Sequence, residues 1–440
     1  MANLKLNRRD FVKATSAVAT ALPVMRSVLG ANERLIVGVI GPGGPPYAQG
    51  RNVMRTFLRQ GAEVAAVCDV YEPHAEQAKA EAGGKAQVFK DYRKLLDMKE
   101  LDAVIIGTPD HWHALPTVHA CQAGKHVYVE KPLATSIGEG RKMVEAARKY
   151  NRIVQGGTQH RSGPHFKRVE ELVQSGILGE ITQVRAWNMG NSYPAGIGNP
   201  PDSAPPPGLD WDAWLGPSPK VPYNPNRFLR GNFRWFWDYA GGLMTDWGVH
   251  WIDTIHQCMH AEAPKSVCAS GGNLALQDNR ETPDTLEVIY EYPGWILVYS
   301  MSQCVNRGID AKGGGIQFYG SDATLYADRG QYELFPREMR KGTPDEGVFT
   351  YNTPLIRGRG LDQGAPHAKN FMDAVRGLAA PNADVEICHR SSTAAILGNI
   401  AYKVGRKLYW DPGQERFTDD ELANRHLMKE YRPPHSIDKV

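Results

Sequence analysis

Asp246 and His250 stand four residues apart in the stretch Gly241 to Asp253, GGLMTDWGVHWID. On a helix, residues at that spacing are neighbours on one face. A carboxylate hydrogen-bonded to one imidazole nitrogen fixes the tautomer, so the other nitrogen can take a proton from a substrate or give one. The structural alternative is a helix start in which Asp246 caps the first turn and His250 packs against Trp247 or Trp251. A metal reading is not favoured, because no further His or Cys stands nearby at ligand spacing.

A cofactor site elsewhere in the chain strengthens the catalytic reading, and the first third of the chain offers a place for one. Leu35 to Ile40 is a run of branched apolar residues, the pattern of a strand buried on both faces of a parallel sheet. It leads into Gly41-Pro42-Gly43-Gly44, where glycines let the backbone turn tightly against a pyrophosphate. One feature departs from the G-x-G-x-x-G pattern: its third glycine falls on Pro46, which spoils the close helix-to-strand contact that glycine allows. A helical segment, Asn52 to Gln60, then precedes a second apolar strand, Glu63 to Cys68, followed by Asp69. A carboxylate there accepts from a ribose 2′-hydroxyl and repels a 2′-phosphate, which favours NAD over NADP. As a structural residue, Asp69 would instead cap the next helix. Ala103 to Gly107 and His126 to Val129 read as further buried strands, so the region is expected to be a doubly wound parallel sheet. Ligands of such sheets lie beyond the carboxyl ends of the strands, which directs Lys131 towards a nicotinamide.

Thr108-Pro109 followed by His113, then Gly124-Lys125-His126-Val127, then Glu130-Lys131-Pro132, resembles the glucose-fructose oxidoreductase, inositol dehydrogenase and rhizopine-catabolism family (Gfo/Idh/MocA). The resemblance covers nearly the whole chain after its first thirty residues. It implies a cofactor site built from Gly41, Gly43, Gly44, Asp69, Thr108, Pro109, His113, Glu130, Lys131 and Pro132. It also implies that Lys131 assists proton transfer at a substrate hydroxyl, and that Asp246 and His250 form the second catalytic pair. Asp253, which closes the same stretch, reads as structural.

The remainder of the chain is expected to form an α+β substrate and dimerisation domain with a large, mostly antiparallel open sheet. Strand-like runs at Ile181–Trp187, Thr285–Tyr292, Ile296–Met301 and Gly315–Tyr319 support this. Phe166 to Gly176, His367 to Val375 and Ser391 to Val404 read as helices, the last two completing this domain or returning to the first. The boundaries that follow are a leader over residues 1–30, a cofactor domain over 31–155 and the second domain over 156–440. Gln159, His160 and Arg161 sit in a loop at the junction, where they could line a substrate cleft or simply be solvated. A Pro-rich excursion from Pro194 to Tyr223 is too long for an idle loop. Its Trp211 and Trp214, with Arg234, Trp235, Phe236 and Trp237 beyond them, could meet the faces and hydroxyls of a sugar, or pack the loop onto the sheet.

Composition narrows the function classes. The 440 residues carry 51 basic and 48 acidic side chains, a net charge of +3 that gives no electrostatic case for nucleic acid. The six cysteines form no CxxC pair, which argues against a metal ribbon or a disulfide scaffold. Arg8-Arg9, followed by Phe11 and Lys13, precedes an apolar run from Ala14 to Met25 that is too short to span a bilayer. It resembles a twin-arginine signal, so a periplasmic or otherwise exported protein without a membrane span is expected, as a homo-oligomer. The sequence thus points to an exported NAD-dependent oxidoreductase acting on a sugar, glycoside or cyclitol hydroxyl. Its rivals are a redox-assisted glycosidase or aldose–ketose oxidoreductase with tightly held cofactor, a dehydrogenase of a non-sugar substrate, and a non-enzymatic NAD-dependent sensor.

Overall fold

Residues 34–44, 48–341 and 348–438 are described in the computed structural model. The Arg8-Arg9 leader and Pro46 lie outside them. The short apolar runs near the start become strands β1 (Ile36–Ile40), β2 (Glu63–Cys68), β3 (Gln87–Phe89), β4 (Ala103–Ile106), β5 (His126–Val129) and β6 (Val154–Gly156). They form one sheet in the order β3-β2-β1-β4-β5-β6, and every pairing in it is parallel. Strand order reverses beside β1, and a crevice opens there beyond the carboxyl ends. The register makes that crevice chemically dense. Ile40 pairs with Cys68 and with Ile106, and Ile106 pairs with Val129. The residues that follow these strand ends, Gly41, Asp69, Gly107 and Glu130, therefore emerge side by side.

Helix Gln49–Arg59 comes close under these ends because glycine stands at three touching positions. A Cβ on Gly50 would lie 2.4 Å from the Gly41 carbonyl oxygen, and one on Gly107 would lie 2.3 Å from the Gly50 Cα. The close helix-to-strand approach expected of position 46 is thus made by Gly50 and Gly107. Gly50→Ala should cost about 1–3 kcal/mol of stability, because the obstructing atoms are backbone and cannot rotate away. Thermal melts with and without NAD would show it, with a loss in both.

The second sheet comprises β7 (Ile181–Met189), β8 (Ser266–Gly272), β9 (Thr285–Tyr292), β10 (Trp295–Ser302), β11 (Gly314–Gly320), β12 (Ala323–Ala327) and β13 (Gln331–Pro336). A separate hairpin, β14 (Glu338–Lys341) with β15 (Val348–Tyr351), follows, and β16 (Ile356–Arg359), β17 (Leu408–Asp411) and β18 (Arg416–Phe417) return to the sheet. Its order is β16-β13-β12-β11-β7-β10-β9-β8-β17-β18, with β7 and β10 the single parallel pair. The expected α/β architecture, a doubly wound domain beside a mostly antiparallel one, is therefore the observed one. Alternation sets the faces: Leu286, Val288 and Tyr290 of β9 point into the core while Glu287 and Ile289 point out. Helices Gly248–Met259 and Val385–Val404 cover the inner face, and Trp251, Ile255, Leu397 and Ile400 are buried in its core.

Two segments tie the halves together. Helix Gly364–Val375 returns to the first sheet, where Phe371 meets the rings of Phe57 and Tyr128 at 5.7 and 5.9 Å. The Pro-rich excursion bridges the two domains: Trp214 and Leu215 join the core of the second, and the same stretch is bonded to the first. Asp210 N donates to the Val70 carbonyl at 3.0 Å, and the indole of Trp112 donates to the Trp214 carbonyl at 2.9 Å. It is an ordered wall of the crevice. Among the described residues, no helix is long and apolar enough to cross a membrane.

Candidate active site

The crevice beyond the parallel strands is a cleft of about 1060 Å³, running from the glycine loop at one end to Lys131, Asp246 and His250 at the other. At the loop end, Gly41 and Gly43 hold φ of +69° and +66°, and a Cβ on Gly41 would meet the Thr108 backbone at 2.7 Å. Gly44 faces the ring of His74, which leaves no room for a side chain there. Asp69 accepts from the amides of Gly43 at 3.1 Å and Tyr71 at 2.9 Å. It therefore braces the loop as well as facing the cleft, and burial raises its pKa to about 6. Thr108 and Pro109 line the same wall. His113 has its Nδ1 2.7 Å from the Pro132 carbonyl and its Nε2 3.0 Å from the Thr108 carbonyl, which holds the turns after β4 and β5 together. Glu130 is buried and accepts from the Gln49 amide at 3.3 Å. Pro132, by contrast, contributes its carbonyl to His113 and does not line the cleft.

At the other end, the Lys131 ammonium donates to the Asp246 carbonyl at 2.9 Å and forms an ion pair with the Asp246 carboxylate. The Nε of Arg234 lies 3.1 Å from the second carboxylate oxygen. Burial opposes ionisation of Asp246, but Arg234 and Lys131 outweigh it and hold the carboxyl well below its usual range. The expected Asp246–His250 hydrogen bond is not formed. One continuous helix would be needed to bring the two together, whereas the chain makes two, Gly242–Asp246 and Gly248–Met259, with Trp247 at the joint. Asp246 turns to the lysine instead. His250 rests its ring on His160 at 4.9 Å, and its Nδ1 has no partner among the described residues. Burial, then Arg329 and Lys131, push its pKa well below the ordinary value, so the ring is neutral.

Of the residues expected to meet a substrate, Gln159 and Arg234 line the cleft. His160 lies one layer behind, under His250. Arg161, Trp211 and Trp237 are placed outside it, contrary to expectation. Arg161 pairs with buried Asp253 at 2.7 Å, Trp211 stacks on Trp214 at 4.7 Å, and the Trp237 indole donates to the Glu281 carbonyl at 3.0 Å. Each satisfies its polar group on the protein itself, Trp211 within the excursion through the Val221 carbonyl and the other two on distant segments, which is how large amphipathic side chains anchor irregular backbone. Trp214 and Trp235, of the same expected set of aromatics, do face the cleft.

Arg329 and Asp110, both in the cleft, escaped the sequence reading. Arg329, in the turn between β12 and β13, has no local motif around it to mark it. Asp110 does have one, since it directly follows Thr108-Pro109. It is buried in the cleft wall, and burial raises its pKa to about 7 against the pull of Lys131, with Asp246 adding to the rise. In the unfolded chain an aspartate titrates near 3.9. Between about pH 4 and 7 the native state thus keeps a proton that the unfolded chain releases, and stability falls as pH rises through that window. Asp110→Asn removes the effect: its stability relative to wild type should be greater at pH 8 than at pH 5 by about 2 kcal/mol, read from thermal melts. No group of three or more metal-ligating side chains is found among the described residues.

Comparison with known proteins agrees with this layout. Residues 35–158 match the Gfo/Idh/MocA profile described as "Oxidoreductase family, NAD-binding Rossmann fold". Residues 162–282 and 358–437 match its companion, "Oxidoreductase family, C-terminal alpha/beta domain". The chain is similar to inositol 2-dehydrogenase of Rubrobacter xylanophilus, at 35% identity over 38% of this chain and 48% of that protein, so it spans about half the length of that relative. It is also similar to myo-inositol 2-dehydrogenase of Thermotoga maritima, at 25% identity over 66% of this chain and 75% of that one. Among solved structures, the WlbA dehydrogenase of Bordetella pertussis, crystallised with NADH and UDP-GlcNAcA, shares the fold. Its TM-score is 0.65 at 18% identity, covering 86% of this chain and 99% of that one. Because both family domains are matched in order along the chain, the protein belongs to the Gfo/Idh/MocA oxidoreductase family.

Proposed function

We propose that the protein is an NAD-dependent oxidoreductase that moves hydride between the carbon of a sugar, glycoside or cyclitol hydroxyl and nicotinamide. The observation that carries this reading is that Lys131, Asp246 and His250 share one cleft with the glycine loop and Asp69. The loop end fits a dinucleotide. Its backbone turns tightly at Gly41 and Gly43, both at positive φ, and Asp69 offers a carboxylate where a ribose hydroxyl would lie. When bound, the nicotinamide supplies the hydride acceptor or donor.

The chain's own groups handle the proton. Two of the three N–H donors of Lys131 are held by Asp246, which leaves the third to meet the oxygen of a substrate hydroxyl and stabilise negative charge there. The neutral ring of His250 takes the hydroxyl proton, since burial and nearby cations keep it unprotonated. An ionised Asp246 fixes the lysine in place and balances its charge.

The test is to purify the protein, identify any co-purifying nucleotide by mass spectrometry, and screen polyols and sugars for a change in nicotinamide absorbance. Failure to bind NAD(H) would overturn the reading. Cleavage of an aryl glycoside without net NADH would replace it with redox-assisted hydrolysis. Export by the twin-arginine route is part of the proposal, supported by the Arg8-Arg9 leader. Replacing both arginines by lysine should retain the protein inside the cell on fractionation. Self-association is likewise proposed, and light scattering of the purified protein tests it.

A further inference from the structure

Arg329 is set by a rigid turn. Its neighbour Asp328 accepts from the amides of Gly330 at 2.7 Å and Gln331 at 2.8 Å, and from the Tyr326 hydroxyl at 2.6 Å. The guanidinium that this turn delivers to the cleft lies 4.4 Å above the ring of Trp247, and its Nε donates to His160 at 2.9 Å. The flat indole and the single neutral hydrogen bond lock the plane of the fork. Its two terminal nitrogens have no acceptor, and the residue has no carboxylate partner in ion-pair range, among the described residues. Asp246 and Glu130 both act on the Arg329 charge across the cleft, but neither pairs with it. Lys131 and Arg234 share Asp246, and Arg329 stands as a third cation. A planar, oriented guanidinium whose terminal nitrogens lack an acceptor is suited to two parallel hydrogen bonds to a carboxylate.

We infer that the substrate carries a carboxylate, as a uronate or aldonate does, and that Arg329, clamped between Trp247 and His160, receives it. The hydroxyl to be oxidised then falls towards Lys131 and His250, so Arg329 chooses the substrate by its acid group and orients it. A neutral sugar offers the fork no pair of carboxylate oxygens. The inference rests on the oxidoreductase reading for which end of the cleft the substrate occupies.

The test is calorimetric titration of the full-length, NAD-loaded protein with glucuronate, galacturonate and gluconate, beside glucose, galactose and glucose 6-phosphate. At least one acid should bind about 30-fold or more tightly than its neutral counterpart. Arg329→Gln should abolish that preference while NAD affinity stays at the wild-type value, which also reports that the variant is folded. Arg329→Lys, which keeps the charge but loses the fork, should restore only part of it. Equal binding of neutral and acidic sugars, preference for the phosphate alone, no binding of any acid, or equal weakening of all ligands in Arg329→Gln would each overturn the inference. An acid that binds through Arg329 and is never oxidised would uphold it and reject the oxidoreductase reading instead.

Discussion

Lys131→Met should lower kcat by about 10³-fold while the Kd for NADH, followed by fluorescence, changes by less than about threefold. The expectation follows from where the amine sits. Lys131 lies at the end of β5, beside the strand ends that carry the glycine loop, yet its two visible bonds are to Asp246 of the other half of the molecule. Its removal takes away the donor at the reacting oxygen and leaves the loop and Asp69 untouched. Asp246 keeps Arg234 as a partner, so the carboxylate is not stranded. A parallel drop in NADH affinity would mean that Lys131 holds the cofactor rather than serving the chemistry. Unchanged turnover would remove it from the mechanism.

His250→Ala should cost about 10²–10³-fold in kcat/KM, and the wild-type pH profile should show why. A histidine of ordinary pKa that acts as base gives an acid limb near pH 6.5. Burial pushes His250 well below that, with Arg329 and Lys131 adding to the push, so its acid limb is displaced to lower pH. Activity should therefore not fall through the ordinary histidine range on account of this ring. A limb centred at pH 6.5 that vanishes in His250→Ala would show that the imidazole is far better solvated than its stacking on His160 implies.

How much of this was legible from residue order depends on whether the signal was local. Strands β2, β5 and β9 begin and end where apolar composition places them, because each is bounded by turn residues and fully or alternately buried. Glu130-Lys131-Pro132 and Asp69 were equally readable, as each follows directly on a strand. The partnership of Asp246 was not. Helical spacing pairs it with His250, and only the break at Trp247, together with a lysine 115 residues away, redirects it. Nor could spacing reveal Gly50, whose role depends on a backbone contact with Gly41 and Gly107 that exists only after the helix docks. The tryptophans misled for a related reason. Trp211 and Trp237 have the same composition signal as Trp214 and Trp235, and which of them faces the cleft is decided by how the excursion lies on the first domain.

The return of helix Gly364–Val375 to the first sheet has a consequence for biosynthesis. Ala368, Phe371, Met372 and Val375 share a buried cluster with Val37, Met54 and Phe57, so one flank of the amino-terminal lobe is closed by residues synthesised more than three hundred positions later. A nascent chain leaving the ribosome displays that flank, greasy and uncovered, until helix Gly364–Val375 has emerged. A polypeptide halted before residue 364 should accordingly be held by chaperones or precipitate. A stop codon placed there is expected to yield insoluble material rather than a free-standing nucleotide-binding lobe.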